Sequence, residues 1–386
     1  MKILIVHNDY AKHSGEEAVV DKMHALFRGL GHETAELRMS TAGLRESLPG
    51  KVRGFLAGLY SPAGVRAMRD AIRRERPDVV NVHNLYPFIS PAALRECKKA
   101  GVPVVMTVHN FRLICPTGLF MRNGGPCELC LQQGNEWACI RHNCENSRLK
   151  SLGYALRNMI ARRRRHYLDC VDAFACITDF QRQKLRQAGY PSEKLHLIPN
   201  SIDLPADTPR PQSHTAPNYF AFLGRLSAEK GIDLIFEVAR RHPEMEFRLA
   251  GECRDESLLA GMPGNVRPMG FLSGTALRDF IAGARAVVMA SRCYEGFPMA
   301  ILEAASYSRP SVGPAHGGFP EIIGEPLLLF APGDADALEQ TLLPLWQDSA
   351  VADRLGETAN RRLRERYTTE TTARLWERLL GEVKGV

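Results

Sequence analysis

Two glutamates with seven residues between them follow the buried strand AVVMAS, in the segment CYEGFPMAILEA (293–304). They lie on either side of a predicted helix start. Glu295 lies where the chain leaves the strand, Pro298 suits the first helical position, and Met299 to Ser306 has helical composition. Backbone N–H groups at such a helix start can hold an anion such as a diphosphate. Glu303 leans back toward that end and could accept hydrogen bonds from the vicinal hydroxyls of a ribose. The alternative is an acid that compensates the helix dipole, followed by a solvated glutamate.

A second strand–glycine–helix junction is FLGRLSAEKGID (222–233), where Arg225 and Lys230 flank the turn. Two fixed cations beside helix termini are what a sugar-nucleotide diphosphate needs, because negative charge builds on its leaving phosphate. The alternative is a pair of surface basic residues near Glu229.

The third chemical feature is a run of cysteines: the chain has ten, and five of them lie between positions 115 and 144. Two close pairs in this run have the spacing of a tetrahedral thiolate site and predict structural zinc. The predicted ligands are Cys127, Cys130, Cys139 and Cys144, with Cys115 or His142 as possible substitutes. Disulfides, which a cytoplasmic protein disfavours, free thiols or another metal are the alternatives.

Short strands that are apolar throughout alternate with amphipathic helices along most of the chain, which predicts parallel sheets covered on both faces. The fold class is therefore α/β, with two doubly wound, Rossmann-like domains facing a central cleft at the carboxyl ends of their strands. The predicted divisions are an N-terminal domain (1–200) with a cysteine-rich insertion (about 111–146), a proline-rich linker (201–217), a C-terminal domain (218–368) and a final helix (369–386) that packs back on the N-terminal domain or elsewhere.

Composition and charge narrow the functional classes. With 45% hydrophobic and 24% charged residues, the chain is neither disordered nor collagen-like. No apolar stretch reaches the roughly 20 residues of a bilayer span, and the first residues are typical of a strand instead of a signal peptide, which predicts a cytoplasmic protein. Residues 1–200 hold 30 basic and 18 acidic side chains, whereas the rest hold 20 and 25.

Much of the basic excess lies in the helical segment 148–168, which includes four consecutive arginines. The plain interpretation is a solvated helix. A second is attraction to anionic lipid or to a lipid-diphosphate acceptor, at the inner face of the membrane. Nucleic acid is disfavoured, because no aromatic interleaving or known binding module accompanies the charge.

Taken together, several separated motifs resemble retaining glycosyltransferases of family 4, which have the GT-B fold. They are the Glu295/Glu303 pair, GRLSAEKG, HGGFPEII (316–323), TVHN with His109, and HSGEE after the first strand. Their order and spacing match over essentially the full chain. One departure is Ser14-Gly15, where the family often shows two glycines.

The resemblance implies a role for each matching residue. Arg225 and Lys230 would bind the donor diphosphate and neutralise the departing nucleotide, and Glu303 would hold the donor ribose. Glu295 would lie beside the transferred sugar. His109 would lie at that sugar across the cleft, where it would form a hydrogen bond to a sugar hydroxyl; the alternative is a catalytic base. The other implied donor contacts come from backbone or turn residues: Gly15, Gly224, Gly296, Phe297, Pro298 and Met299. No catalytic metal is expected, and His7, His83 and His196 are taken as structural.

These features predict a retaining hexosyltransferase that moves a sugar from a nucleotide diphosphate donor, UDP first and GDP next, to a hydroxyl of a glycan or lipid-linked acceptor. Cell-envelope polysaccharide synthesis is the favoured setting. The alternatives are glycosylation of a small soluble metabolite by the same fold, and a non-catalytic sugar-nucleotide-binding protein.

Overall fold

The computed structural model of the chain describes residues 1–9, 15–40, 48–204, 219–253 and 255–385. Ser14 and most of the predicted linker (205–217) lie outside the described residues. The strands, in chain order, are β1 (Lys2–Asp9), β2 (Glu33–Ser40), β3 (Val79–Val82), β4 (Val104–Val108), β5 (Met121–Arg122), β6 (Gly125–Pro126), β7 (Ala173–Cys176), β8 (Leu195–Leu197), β9 (Tyr219–Leu223), β10 (Glu246–Ala250), β11 (Val266–Gly270), β12 (Ala286–Val288), β13 (Ser311–Pro314) and β14 (Leu329–Phe330).

The α-helices are α1 (Gly15–Gly29), α2 (Leu48–Leu59), α3 (Pro62–Glu75), α4 (Leu94–Ala100), α5 (Leu129–Gln133), α6 (Trp137–Arg141), α7 (Arg148–Arg163), α8 (His166–Cys170), α9 (Asp179–Gln187), α10 (Ile232–Arg241), α11 (Gly274–Ala282), α12 (Met299–Ser306), α13 (Phe319–Ile323), α14 (Ala335–Gln347), α15 (Ser349–Arg366) and α16 (Thr369–Lys384). Within the described ranges, no helix combines the length and the apolar composition that crossing a membrane requires.

The chain divides into two compact units. Unit 1 comprises Met1–Leu119, Glu128–Pro199 and Thr372–Val386, and unit 2 comprises Phe120–Cys127 and Asn200–Thr371. The last residues of the chain therefore belong to unit 1, and a short segment inside the predicted cysteine-rich insertion belongs to unit 2.

Unit 1 is built on a six-stranded parallel sheet with the order β2-β1-β3-β4-β7-β8. Its core joins this sheet to α1 and α16, and its buried members include Ile3, Ile5 and Phe27. Trp376 of α16 is 2% exposed, and its ring meets that of Phe27 edge-on with centroids 5.3 Å apart. The C-terminal helix is thus an integral part of the core of unit 1.

Unit 2 is built on a second parallel sheet, with the order β11-β10-β9-β12-β13-β14. Counted from β9, this is the 3-2-1-4-5-6 order of a dinucleotide-binding fold, in which the direction of winding reverses between strands 1 and 4. The carboxyl ends of β9 and β12 flank that reversal, and ligands of such sheets bind there. The predicted α/β class with two doubly wound domains is confirmed.

Three strands of the two six-stranded sheets escape the sequence patterns, each for a physical reason. β2 is an edge strand whose residues alternate between exposed and half-buried, so it lacks a continuous apolar run. β11 is also an edge strand, exposed along four of its five residues and interrupted by Pro268. β13 is wholly buried but has the sequence SVGP, and its Gly-Pro end resembles a turn.

A glycine holds the turn between β9 and α10 against β12. Gly231 has φ 66°, and a Cβ at this position would lie 2.0 Å from the carbonyl oxygen of Ala290. Because the obstacle is backbone, it cannot rotate away as a side chain can. Only glycine lets the start of α10 approach the end of β12 this closely.

We expect Gly231→Ala to lower the free energy of unfolding of the protein by at least about 3 kcal/mol, because it adds a steric clash to a left-handed backbone. Gly270→Ala is the matched control: it has φ 69° and open space around its Cβ, so it carries only the conformational cost of about 1 kcal/mol. Urea unfolding followed by circular dichroism measures both. Equal losses for the two variants would contradict the close approach.

Candidate functional site

In unit 2, charged side chains gather at the carboxyl ends of β9 and β12. Arg225 and Lys230 follow β9, and Glu295 follows β12. These two strands are direct neighbours in the sheet, paired through Phe220 and Ala286. The two separate motifs of the sequence therefore meet at the point where the strand order reverses.

The centre of this site is an ion pair between the Lys230 ammonium and the Glu295 carboxylate. Both side chains are at most one-quarter exposed, and the Ser291 hydroxyl also donates to Glu295 Oε1 over 2.7 Å. Burial favours the neutral form of each group, but the opposite charge and the hydrogen bond between them outweigh it. As a result, the pKa of Glu295 is lowered and the pKa of Lys230 is raised, and both stay ionised. Lys230 is also the only lysine in the sequence of unit 2.

Arg225 differs from Lys230 in being solvent-exposed. Its guanidinium pairs with Glu229, four residues later in the same turn, and its Nε lies 3.4 Å from the Ser227 hydroxyl. Burial alone would raise the pKa of Glu229, but hydrogen bonds from Ser227 and Arg225 lower it. The alternative of surface basic residues near Glu229 therefore describes Arg225, whereas Lys230 is held in the interior of the site.

The HGGFPE loop supports the backbone around Glu295. Gly318 donates its N–H to the Glu295 carbonyl over 2.9 Å, and His316 Nε2 donates to the Ser291 carbonyl over 2.9 Å. Gly317 has φ 60°, and a Cβ there would stand 3.0 Å from the Glu295 nitrogen. The sequence motif includes His316 without indicating a role for it. In the structure His316 holds the backbone at Ser291, between β12 and Glu295.

The helix that carries Glu303 begins one residue later than predicted. Pro298 precedes the first helical residue, Met299. Its backbone is extended (φ −71°, ψ 105°), so Pro298 caps the helix and is not its first residue. Glu303 is half-buried in α12. Phe297 is buried and packs edge-on against Tyr367, with ring centroids 5.6 Å apart.

The remaining glycines of the predicted donor site lie at strand and helix ends. Gly224 directly follows β9, and its carbonyl oxygen is so close to β10 that a Cβ on Gly251 would lie 1.8 Å from it. Gly15 is the first residue of α1 in unit 1. Gly224 thus brings backbone to the end of a parallel strand, where a ligand can approach it.

In unit 1, His109 follows β4, and its Nε2 lies 2.7 Å from Nδ1 of His83, which follows β3. Withdrawal from water lowers the pKa of His109 to about 4 and that of His83 well below its usual value, so both rings are neutral near pH 7. The sequence predicts His83 to be structural. It does contain a signal, because Val-His-Asn occurs at the carboxyl ends of β1, β3 and β4, but only the adjacency of β3 and β4 in the sheet joins His83 to His109.

The sequence also predicts that His7 and His196 are structural. The His7 ring meets the His83 ring edge-on, with centroids 6.3 Å apart. His7 is fully buried, with Nε2 3.4 Å from Asp9. His196 Nδ1 lies 3.7 Å from Glu382 of α16.

The cysteine run is divided between the two units. Cys127 belongs to unit 2, whereas Cys130, Cys139 and Cys144 belong to unit 1 together with Cys115. A hydrogen bond with Cys144 is the largest influence on Cys139 and, with burial, raises the pKa of its thiol. The charges of Cys130 and Cys115 act on it in the same direction.

None of the ten cysteines, all of which lie in the described ranges, forms a disulfide. Within the described ranges, no three His, Cys, Asp or Glu side chains are arranged to hold a metal ion. Zinc ligation would therefore require the thiols around Cys139 to turn toward a common centre, and structural zinc stays a prediction.

Metal analysis of the untagged protein tests that prediction. We expect about one equivalent of zinc per chain, lost in Cys139→Ser because its thiol lies among the others. The control is Cys253→Ser, which changes a cysteine of unit 2 that donates to the Asp255 carbonyl. Less than half an equivalent of zinc with the thiols titrating as free would refute the metal site.

Both halves of the chain match family models of glycosyltransferases. Residues 15–205 match the model of Glycosyltransferase Family 4, and residues 217–348 match that of Glycosyl transferases group 1. The two matches together span most of the chain and correspond to its two α/β sheets. The protein belongs to the family-4 type of glycosyltransferases.

Similar proteins carry the names of several different glycosyltransferases. The protein is 24% identical over 349 residues to a component of the phosphatidylinositol N-acetylglucosaminyltransferase of Arabidopsis thaliana, covering 80% of this chain and 69% of the relative. It is 25% identical over 353 residues to the alpha-D-kanosaminyltransferase of Streptomyces kanamyceticus (81% and 80%). It is 26% identical over 162 residues to O-antigen chain mannosyltransferase C of Escherichia coli (40% and 43%).

Solved structures share the fold. Sucrose-phosphate synthase from Thermosynechococcus elongatus superimposes with a TM-score of 0.73 at 16% identity, covering 100% of this chain and 99% of the other. Anabaena HepE, solved in complex with UDP and glucose, superimposes with a TM-score of 0.65 at 16% identity, covering 99% and 100%. The chain therefore has the GT-B architecture of glycosyltransferases.

Proposed function

We propose that this glycosyltransferase transfers a sugar, with retention of configuration, from a nucleotide diphosphate donor to a hydroxyl of a glycan or lipid-linked acceptor in polysaccharide assembly. UDP is the favoured donor nucleotide and GDP the next, and UDP is supported by the complex of HepE. The observation that carries the proposal is the Lys230–Glu295 ion pair at the strand reversal of unit 2.

Lys230 suits a diphosphate because its charge is already fixed and partly withdrawn from water. An ammonium held in this way stabilises developing negative charge without waiting for solvent to reorganise. Arg225 adds a second cation on the same turn. Its solvent-exposed pairing with Glu229 is worth little, so a phosphate can replace the carboxylate at small cost.

The two glutamates would bind the hydroxyl groups of the donor, on its ribose and its transferred sugar. Glu295 stays ionised and, once the phosphate draws on Lys230, can accept hydrogen bonds from hydroxyls of the transferred sugar. Glu303 would accept from the two ribose hydroxyls. Backbone N–H groups of Gly296, Phe297 and Met299, at the start of α12, would complete the anion site.

The reaction needs positioning and charge stabilisation more than an added base. The bond between the anomeric carbon and the donor phosphate oxygen breaks, and the acceptor oxygen bonds to the anomeric carbon on the same face. The acceptor proton passes to the departing phosphate, whose charge Lys230 and Arg225 offset. His109 would contact a hydroxyl of the sugar, and no catalytic metal is expected.

A second candidate is glycosylation of a small soluble molecule. The same fold and the same donor site would serve it, and only the acceptor would differ. A third candidate is a protein that binds a nucleotide sugar without catalysis. The Lys230–Glu295 ion pair argues against it, because binding alone does not need a cation held ready for a leaving phosphate.

A lipid-linked acceptor is supported by the surface of unit 1, where α2 packs on α7. A Cβ on Gly153 would lie 2.3 Å from the Phe55 ring, so the helices are in close contact. Beside this contact Leu149 is 68% exposed and Leu56 is 57% exposed. Neither helix has an acidic residue in its sequence, and exposed apolar side chains among cations are typical of surfaces that bind anionic lipid.

The arginines at the end of α7 are less available to bind lipid than the sequence indicates, because two of them pair with acidic side chains. Arg162 donates to both carboxylate oxygens of Glu136, over 2.9 and 3.0 Å, and Arg165 pairs with Asp169 over 2.9 Å. We therefore place the proposed membrane contact of segment 148–168 mainly at its beginning. The protein would act in the cytoplasm, at the inner face of the membrane.

We expect Lys230→Met to lower kcat/KM about 10²-fold or more, the size of losing one preorganised group that stabilises transition-state charge. It should also abolish the thermal stabilisation that UDP gives. The matched control, Arg267→Met, removes a cation from the edge strand β11 and should keep both properties. Both properties are measured with UDP, GDP and ADP sugars, the first by donor hydrolysis or transfer and the second by thermal shift. Unchanged turnover in Lys230→Met would overturn the proposed site.

For the membrane contact, we expect Leu149→Glu with Leu152→Glu to reduce co-sedimentation with phosphatidylglycerol vesicles at least tenfold. Leu327→Glu is the control, because Leu327 is 73% exposed but lies in unit 2. Charge reversal of Arg162 to Arg165 should have the smaller effect. Absence of vesicle binding by the unmodified protein would exclude the membrane contact and favour a soluble acceptor.

A further inference from the structure

Asn81, His83 and His109 form a hydrogen-bonded chain at the carboxyl ends of β3 and β4. Asn81 Oδ1 lies 2.7 Å from His83 Nε2, and His83 Nδ1 lies 2.7 Å from His109 Nε2. The two imidazole planes are inclined by only 18°. Such a chain has a direction, because each link needs one donor and one acceptor.

The direction is set by a backbone carbonyl. The Asn81 amide nitrogen donates to the carbonyl oxygen of Val105 over 3.2 Å, and it also lies 3.2 Å from the Thr107 hydroxyl. A carbonyl oxygen can only accept, so the side of the Asn81 amide that faces Val105 must be the NH₂ group. Its Oδ1 is thereby turned toward His83.

The donor and acceptor at each remaining link of the hydrogen-bonded chain follow from where the hydrogens can be. Asn81 Oδ1 can only accept, so His83 Nε2 carries a hydrogen and, in a neutral ring, Nδ1 carries a lone pair. His109 Nε2 must then donate to that lone pair. A neutral His109 is left with a lone pair on Nδ1, to which none of the described residues donates a hydrogen bond.

Both rings are neutral near pH 7 for reasons independent of this argument. His83 is 3% exposed, and removal from water is the main reason that its pKa is low. The positive charge of Arg38 acts in the same direction, as would that of a protonated His109, His7 or His24. Removal from water similarly keeps His109 uncharged.

We infer that Asn81 and His83 are positioning residues that hold His109 as the tautomer with a lone pair on Nδ1, so that His109 recognises a sugar hydroxyl acting as hydrogen-bond donor. The sugar part of this inference rests on the proposed function; the tautomer part does not. In this tautomer His109 can accept a hydroxyl hydrogen, but as a neutral ring it has no hydrogen on Nδ1 to give to the substrate.

Two substitutions at position 83 separate this role from simple packing. In His83→Gln the amide can put its oxygen toward His109 and its nitrogen toward Asn81, which keeps both links. The reverse orientation would set two oxygens against each other at Asn81. His83→Met has a similar length but offers His109 no comparable acceptor.

The first readout is the protonation of the His109 ring, measured from imidazole ¹⁵N chemical shifts and assigned by comparison with His109→Gln. We expect protonated Nε2 and unprotonated Nδ1 in the unmodified protein and in His83→Gln, and loss of that preference in His83→Met. A hydrogen on Nδ1 of the unmodified protein would overturn the inference, as would the same tautomer in all three proteins.

The second readout is steady-state kinetics. We expect kcat/KM to fall about tenfold in His83→Met, because one hydrogen bond that positions His109 is lost. In His83→Gln, which keeps that bond, it should fall less than about threefold. Equal decreases in the two variants, with unchanged unfolding midpoints, would reject the positioning role. If no variant and no donor gives turnover while the ¹⁵N pattern is as stated, the proposed function fails and the tautomer assignment stands.

Discussion

An ammonium and a carboxylate that are mostly withdrawn from water are stable only when each compensates the other, and Lys230 and Glu295 meet this condition in unit 2. The two residues come from segments more than sixty positions apart. They meet because β9 and β12 are adjacent in the sheet, at the reversal of strand order. The packing of Gly231 against Ala290 and the HGGFPE loop behind Glu295 both serve to keep this contact in place.

Unit 1 uses the same principle with neutral groups. Its strand ends are linked by a hydrogen-bond chain instead of an ion pair. A backbone carbonyl of the sheet orients Asn81, and the orientation is passed through His83 to His109. In both units a parallel sheet supplies rigid strand ends, and polar side chains that follow neighbouring strands orient one another there.

The surface of unit 1 shows why a charge run in the sequence is a poor measure of a free charged surface. The arginines at the end of α7 are the most conspicuous basic feature of the chain, yet Arg162 is engaged by Glu136 and Arg165 by Asp169. The sequence pattern does not predict that the leucines at the start of the same helix are exposed. They share an apolar stripe with Leu156 and Met159, which are more buried. Tertiary pairing decides which of these side chains remains available.

Local patterns in the chain were enough to predict the α/β class, most of the strands, and the segments around Arg225, Lys230, Glu295 and His109. They succeed there because buried parallel strands are continuous apolar runs and the turns that follow them carry distinctive residues. Four further facts came only from the folded molecule: which cation pairs with which acid, that His83 is the partner of His109, that Cys127 falls in a different unit from the other cysteines of its run, and that Trp376 completes the core of unit 1. These facts depend on strand order and helix docking. Both are set by contacts between residues distant in the chain, which no local pattern encodes.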